Sequence, residues 1–238
     1  MPDEVIVVNN NSTDNTLKIV KKYKFVRVIN ENRQGIQYAR DAGFDAAKSD
    51  IIARIDADTV LTKSWVRAVR AFYSNERNHK AALTGGGFFY NIRFKRFNSW
   101  ALSQFAYRMN RLVIGHYILW GSNMAIPKTV WNDVKESTCD DDEIHEDMDL
   151  GIHVHRKGYE VVYAPSLRVG VMLKRVYHDR SDLHRHMRRW PLTLRRHGYK
   201  LWWMGTLGNL LLWFIVQPVI YGAEYFNRYI LRRKPLND

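Results

Sequence analysis

A pattern repeated three times over residues 5–58 constrains the fold more than any other feature: a short apolar run, a polar turn, then a stretch with helical character. Val5-Ile6-Val7-Val8 runs into Asn9-Asn10-Asn11-Ser12-Thr13-Asp14, a turn rich in helix-capping side chains, and Leu17, Ile19 and Val20 give the next stretch its apolar positions. Phe25 to Ile29 is the second run, with Asn32 to Gly35 as a loop and a helix from about Ile36 to Lys48. Ile51 to Ile55 is the third, and it ends on Asp56-Ala57-Asp58. Buried strands alternating with helices over short connections predict an α/β fold, with a mostly parallel sheet covered on both faces. Ligands of such sheets sit at the carboxyl ends of the strands, where both the Asn-rich turn and the aspartate pair fall.

Further on, Trp65 to Tyr73 reads as a helix, Ala81 to Tyr90 as an extended stretch, Gly121 to Pro127 as a loop entering a strand, and Glu160 to Ala164 as a strand. The start shows neither a basic n-region nor a cleavage site and is not read as a signal peptide. Three parts result: a core over 1–167, a basic segment over 168–200 and an apolar segment with a basic tail over 201–238. With 46% hydrophobic and 26% charged residues, wholesale disorder and a polytopic membrane protein are both excluded. Cys139 is the sole cysteine, which excludes a disulfide framework and a cysteine-based zinc site alike and favours a reducing compartment.

The net charge of +13 is unevenly spread. Residues 168–238 hold 14 basic and four acidic side chains, against 23 and 20 in residues 1–167. That basic end suits phosphate, whether of nucleic acid, a nucleotide or lipid headgroups.

Three groups carry candidate chemistry. Asp56 and Asp58 form a hard-oxygen pair suited to Mg²⁺ or Mn²⁺ once a diphosphate adds oxygens; the plainer reading is a solvated turn with Thr59 capping a following helix. Glu146-Asp147-Met148-Asp149 closes a stretch from Asp140 with seven carboxylates in ten positions. Such crowding raises at least one pKa and suits a general base, while a solvated acidic loop capping the next helix is the alternative. In His186-Met187-Arg188-Arg189-Trp190, arginine can neutralise a diphosphate and the indole can face a sugar or base, although a basic juxtamembrane helix fits equally well.

In order and spacing, Glu4 to Thr16, Asn32 to Gly43, Ile51 to Thr59, Gly121 to Pro127 and Glu146 to Pro165 resemble a bacterial-type, membrane-associated family 2 glycosyltransferase of the GT-A fold. The resemblance implies inverting transfer of a sugar from a nucleotide-diphosphate donor to an acceptor hydroxyl. It places Asn9 and Asn10 at the nucleobase, Arg40 near the ribose-diphosphate, Asp56 at ribose or metal and Asp58 on the metal. Asp147, with Glu146 beside it, matches the general base. It also implies a first strand and nucleotide-contacting loop ahead of Glu4 that this sequence does not contain. Asn9 stands where the family has aspartate, and His186 where processive members carry glutamine.

From Leu201 to Ala223 there is no formal charge until Glu224, long enough for a helix to cross a hydrocarbon core. Basic flanks on both sides, with Gly205, Gly208 and Pro218 inside, leave an interfacial helix and a buried one open as well. The expectation is a transferase on the cytoplasmic face of a membrane, acting on a glycan or lipid-linked acceptor, with no nucleic-acid partner. The alternative is a catalytically incomplete homologue acting as membrane-bound partner of an active transferase.

Overall fold

The computed structural model describes residues 1–90, 107–172, 180–211 and 222. Its first unit is β1 (Val5–Asn9), α1 (Thr16–Val20) and β2 (Val26–Asn30), the two strands pairing in parallel from Val5 opposite Val26 to Asn9 opposite Asn30. Helix α2 (Ile36–Ala46) packs on β1, with Gly43 close against Val8. Glu4 ties this unit together: it accepts from the Lys48 and Ser49 amides just past α2 and pairs with Arg27 of β2 at 3.1 Å.

The second sheet has five strands. Strands β3 (Ile51–Arg54), β4 (Val60–Leu61), β5 (Ala81–Phe89), β6 (Met124–Pro127) and β7 (Glu160–Val171) lie in the order β3-β6-β5-β7-β4. Parallel pairing, expected for most of the sheet, holds for β1–β2 and β5–β7, while β6 runs antiparallel to both its neighbours and β4 antiparallel to β7. The α/β layering therefore stands with mixed pairing. Thr59, a helix cap only on the plainer reading of the aspartate turn, leads into β4, whose Val60 pairs with Gly170.

Helices α3 (Trp65–Tyr73), α4 (helical over 107–114), α5 (Lys128–Val134) and α6 (Glu146–Arg156) cover the sheets. One core cluster joins Phe44, Ile52, Met124, Ile126, Trp131, Leu150 and Val154; a second, on the α3 side, joins Trp65, Val69, Tyr73, Leu83 and Val169. Asn123, fully buried, binds these layers: its side-chain amide donates to the Gly86 and Leu167 carbonyls and its oxygen accepts from the Trp65 indole. Gly85 is required by the same junction, since a Cβ there would lie 2.0 Å from the Leu167 carbonyl oxygen. The result is a rigid seat for the Gly121-Ser122 turn that precedes β6.

Helix α7 (Arg180–Arg196) lays Leu194 and Trp190 against Ile114, Met148 and Ile152, so the basic segment docks on α6. Helix α8 (Trp203–Leu211) follows, with Leu201, Trp202, Trp203, Leu207 and Leu210 exposed. Among the described residues no helix is long and apolar enough to cross a membrane. Residues 212–221 of the apolar segment, and the basic tail after it, lie outside the described residues.

Candidate active site

Strand β3 ends in Arg54, a charge at the end of an otherwise apolar strand, and the fold supplies its counter-ion from α6. Glu146 accepts from two Arg54 nitrogens at 2.8 Å each. Arg40 of α2, its side chain only 1% exposed, donates to the Glu146 carbonyl at 2.7 Å and reaches its carboxylate at 3.3 Å, while also pairing with Asp41 and lying over Trp131. Burial works to raise the pKa of Glu146, but the charge and hydrogen bonds of Arg54, then Arg40, hold it below the usual range. Glu146 is thus a fixed anion clamping two arginines, and Arg40 is turned to that clamp rather than to open solvent.

Asp147 has a different environment. One carboxylate oxygen accepts from the Gly121 amide at 2.8 Å and the other from the Met148 amide at 2.8 Å. Burial, reinforced by the neighbouring Glu146 charge, pushes its pKa up even though His145 pulls the other way. A half-buried, partly satisfied carboxylate at a helix start is suited to take a proton. Ser122, next to Gly121, donates to Asp56, which also stands 3.7 Å from Arg54. A Cβ at Gly121 would lie 2.8 Å from an Arg54 nitrogen, so glycine there permits the arginine's approach. Glu146, Asp147 and Asp56 are therefore linked through Arg54 and the Gly121-Ser122 turn.

The rim is more open. The Asp56 side chain is 46% exposed and Asp58 is exposed, a hard-oxygen pair accessible to a solvated divalent ion, and the adjacent Thr59 hydroxyl is buried without a hydrogen-bond partner among the described residues. This donor set fits Mg²⁺ or Mn²⁺. Asn9 and Asn10, at the carboxyl end of β1, are occupied in joining the turn to the loop after β2: Asn9 donates to Asn30, and Asn10 donates to the Glu31 carbonyl and accepts from the Gly35 amide. The acidic loop is fixed too, through Tyr38 to Asp140 and Arg196 to Asp141.

From α7, Thr193 accepts from the His145 amide at 2.9 Å and His186 meets the His145 ring edge-on, which brings Arg189 and Trp190 beside the start of α6. Among the described residues, the Arg189 Nε and the Trp190 indole nitrogen are both buried without a hydrogen-bond partner. The sequence reading assigned no role to Arg54, Gly121, Ser122 or His145, although the first three lie in segments that carry the resemblance. Arg54 carried a readable signal, a cation inside the buried run Ile51 to Ile55; the others depend on contacts between distant segments.

Residues 1–134 match the family described as Glycosyl transferase family 2, and the chain belongs to it. It is 27% identical over 183 residues to the probable glycosyltransferase YdaM of Bacillus subtilis (strain 168), covering 68% of this chain and 41% of that protein. A shorter match, 36% over 59 residues, is to the uncharacterized glycosyltransferase YibD of Escherichia coli (strain K12), covering 23% of this chain and 17% of that one. The chain thus spans less than half of either curated relative. Among solved structures, mannosyltransferase PcManGT from Pyrobaculum calidifontis in complex with GDP-Man and Mn²⁺ has a TM-score of 0.61 at 16% identity, covering 90% of this chain and 61% of that one. TarS 1-349 of S. aureus in complex with UDP-GlcNAc has a TM-score of 0.52 at 17% identity, covering 72% and 50%. These likenesses establish the GT-A fold.

Proposed function

We propose that the chain is an inverting, metal-dependent glycosyltransferase that moves a sugar from a nucleotide-diphosphate donor to an acceptor hydroxyl on a glycan or lipid-linked substrate, at the cytoplasmic face of a membrane. The observation that carries this reading is the placement of Asp147: half-buried at the start of α6, held by the Gly121 amide, and joined through the Gly121-Ser122 turn to the Asp56 end of β3. Asp147 takes the proton of the acceptor hydroxyl as that oxygen attacks the anomeric carbon. Glu146 does not share this proton transfer; it fixes Arg54 and Arg40, and Arg40 acts as a support rather than a diphosphate contact. Asp56 and Asp58 would hold the divalent ion, whose charge offsets that of the departing diphosphate. Arg189 offers a second cation to the donor, Trp190 an indole to a sugar, and Asn9 and Asn10 border the nucleobase. The GDP-Man and Mn²⁺ complex of PcManGT and the UDP-GlcNAc complex of TarS support a donor of this class. The exposed apolar side chains of α8 beside the basic α7 support membrane attachment.

Incubation of the full chain with Mn²⁺ and a panel of nucleotide sugars tests the reading. The expected result is metal-dependent release of nucleoside diphosphate, abolished by Asp58→Ala and by Asp147→Asn. Release that survives Asp147→Asn overturns it.

One observation favours a second reading, a donor-incompetent homologue that partners an intact transferase. The β1–β2 pair is a sheet separate from the five strands, and Val5 to Val8 are only half-buried. Calorimetry with UDP and Mn²⁺ separates the two, since metal-dependent binding removes the ground for it.

A further inference from the structure

Behind the candidate active site, on the far side of the α6 start, a second cluster of ligating groups comes together from three segments. Cys139 lies in the loop after α5, Asp149 and His153 are one turn apart on α6, and His197 directly follows α7. One potential ligand atom from each, a sulfur, a carboxylate oxygen and two imidazole nitrogens, lies within 4.8 Å of every other. We propose that this cluster is a structural zinc site, separate from any ion on Asp56 and Asp58, and that it staples the C-terminal end of α7 to α6.

The donor set decides the metal class. A thiolate, two imidazoles and a carboxylate make up a four-coordinate zinc sphere and are poorly matched to Mg²⁺ or Mn²⁺, which favour hard oxygens. Zinc holds such donors about 2.0–2.3 Å from itself, which in a tetrahedron sets them about 3.3–3.8 Å apart, so the most distant pairs close by about 1 Å and the Asp149–His197 contact of 2.8 Å opens slightly. The thiolate and the carboxylate balance the charge of the ion. Two of the four donors are shut off from water, the Asp149 side chain at 1% and that of His197 at 3% exposure, while Cys139 and His153 are half-buried.

Without metal the cluster is incompletely satisfied. Asp149 Oδ1 lies 2.8 Å from His197 Nε2 and 3.4 Å from His153 Nε2, and its other oxygen accepts from the Cys139 amide at 3.0 Å. One carboxylate oxygen is thus approached by two imidazoles, and the buried His153 Nε2 has among the described residues only this long 3.4 Å contact. The outer contacts are partly set for a ligand as well. Arg156 donates to the His197 carbonyl at 2.6 Å and to its Nδ1 at 3.1 Å. Coordination through Nε2 leaves Nδ1 protonated, so the second of these contacts opens while the first continues to hold the helix end.

The location gives the site its role. Asp149 is two positions beyond Asp147, and His197 is at the end of the helix that carries Arg189 and Trp190. A metal here fixes the spacing between the candidate base and those two side chains, in parallel with the Thr193 to His145 hydrogen bond. The sequence reading excluded a cysteine-based zinc site because the chain has one cysteine, but the fold supplies the other three donors.

The test uses the purified full chain, stripped of metal under reducing conditions and titrated with Co²⁺ or Zn²⁺. Cobalt is expected to give tetrahedral d–d bands and a thiolate-to-metal charge-transfer band that can arise only from Cys139, with about one ion bound per chain. Cys139→Ser should remove the charge-transfer band. His153→Gln should weaken zinc binding by more than the roughly 10–100-fold that outer-shell changes cost. Zinc should raise the melting temperature of the wild type and leave that of Cys139→Ser unmoved, and Asp58→Ala should keep both signatures. Absence of the charge-transfer band in the wild type, or loss of bound metal in Asp58→Ala with retention in His153→Gln, overturns the proposal. No sugar donor is involved, so failure here leaves the transferase reading untouched.

Discussion

Arg54 and Glu146, 92 residues apart in the chain, meet through two contacts of 2.8 Å, and this pair sets the geometry of the candidate site. It draws the start of α6 onto the end of β3 and separates two neighbouring carboxylates into different tasks. Glu146 has its charge matched by two arginines, whereas Asp147 is met by amides.

Neutralising each carboxylate in turn should expose that division. Glu146→Gln leaves Arg54 and Arg40 without their shared counter-ion and is expected to cost about 3–5 kcal/mol of stability. Asp147→Asn keeps an acceptor for one of the Gly121 and Met148 amides and turns its NH2 toward the other, and should cost about 1–3 kcal/mol of stability. Its donor turnover should fall by about 10²–10⁴. Denaturant unfolding and a diphosphate-release assay on both variants measure the two effects.

Gly121 should behave as part of the same unit. Its replacement by alanine puts a Cβ 2.8 Å from the Arg54 guanidinium, a collision expected to cost about 1–3 kcal/mol. Because both changes act through Arg54, the double variant Gly121→Ala with Glu146→Gln should be less destabilised than the sum of the singles. Unfolding of the four proteins in a cycle gives the coupling directly.

Much of this was legible beforehand, for identifiable reasons. The α3 helix was read at Trp65 to Tyr73 and found at those bounds, because its apolar positions follow helical spacing without interruption. The first three strands were likewise found within a residue or so of their apolar runs. Strand direction was not legible: β6 is apolar throughout and carries no sign of running against its neighbours. The division of labour between Glu146 and Asp147 was also hidden, since it depends on which side chain faces Arg54. The cluster around Cys139 was hidden for a related reason: only Asp149 and His153 have a local ligand spacing, and the other two donors come from distant segments.

The indole of Trp190 offers a test that separates binding from folding. Its ring packs with Ile114, Met148, Ile152 and Leu194, but its N–H is buried without a hydrogen-bond partner among the described residues. Trp190→Phe keeps most of the packing and removes the orphaned donor, so stability should hold within about 1–3 kcal/mol or rise. If the N–H serves the substrate, KM should rise about tenfold while melting is hardly changed. Steady-state kinetics beside thermal unfolding tell these apart.

Acid sensitivity should trace in part to His116. Its Nδ1 lies 2.7 Å from the Tyr117 carbonyl, its Nε2 3.2 Å from the Tyr199 hydroxyl, and its ring stacks on His155 at 4.2 Å. Burial depresses its pKa from 6.5 to about 4; the Tyr117 carbonyl opposes this, while His155 and Arg156 add to it. The unfolded chain therefore binds this proton more tightly than the folded one. Stability should be unaffected by His116 above about pH 6.5 and should fall as the pH drops from there to about 4, by about 1–3 kcal/mol in all. Other groups titrate over the same range, so the readout is a difference. The gap in unfolding free energy between wild type and His116→Asn should shift in favour of the variant as the pH is lowered from 7.5 to 4.5, and an unchanged gap would show that His116 is not held neutral.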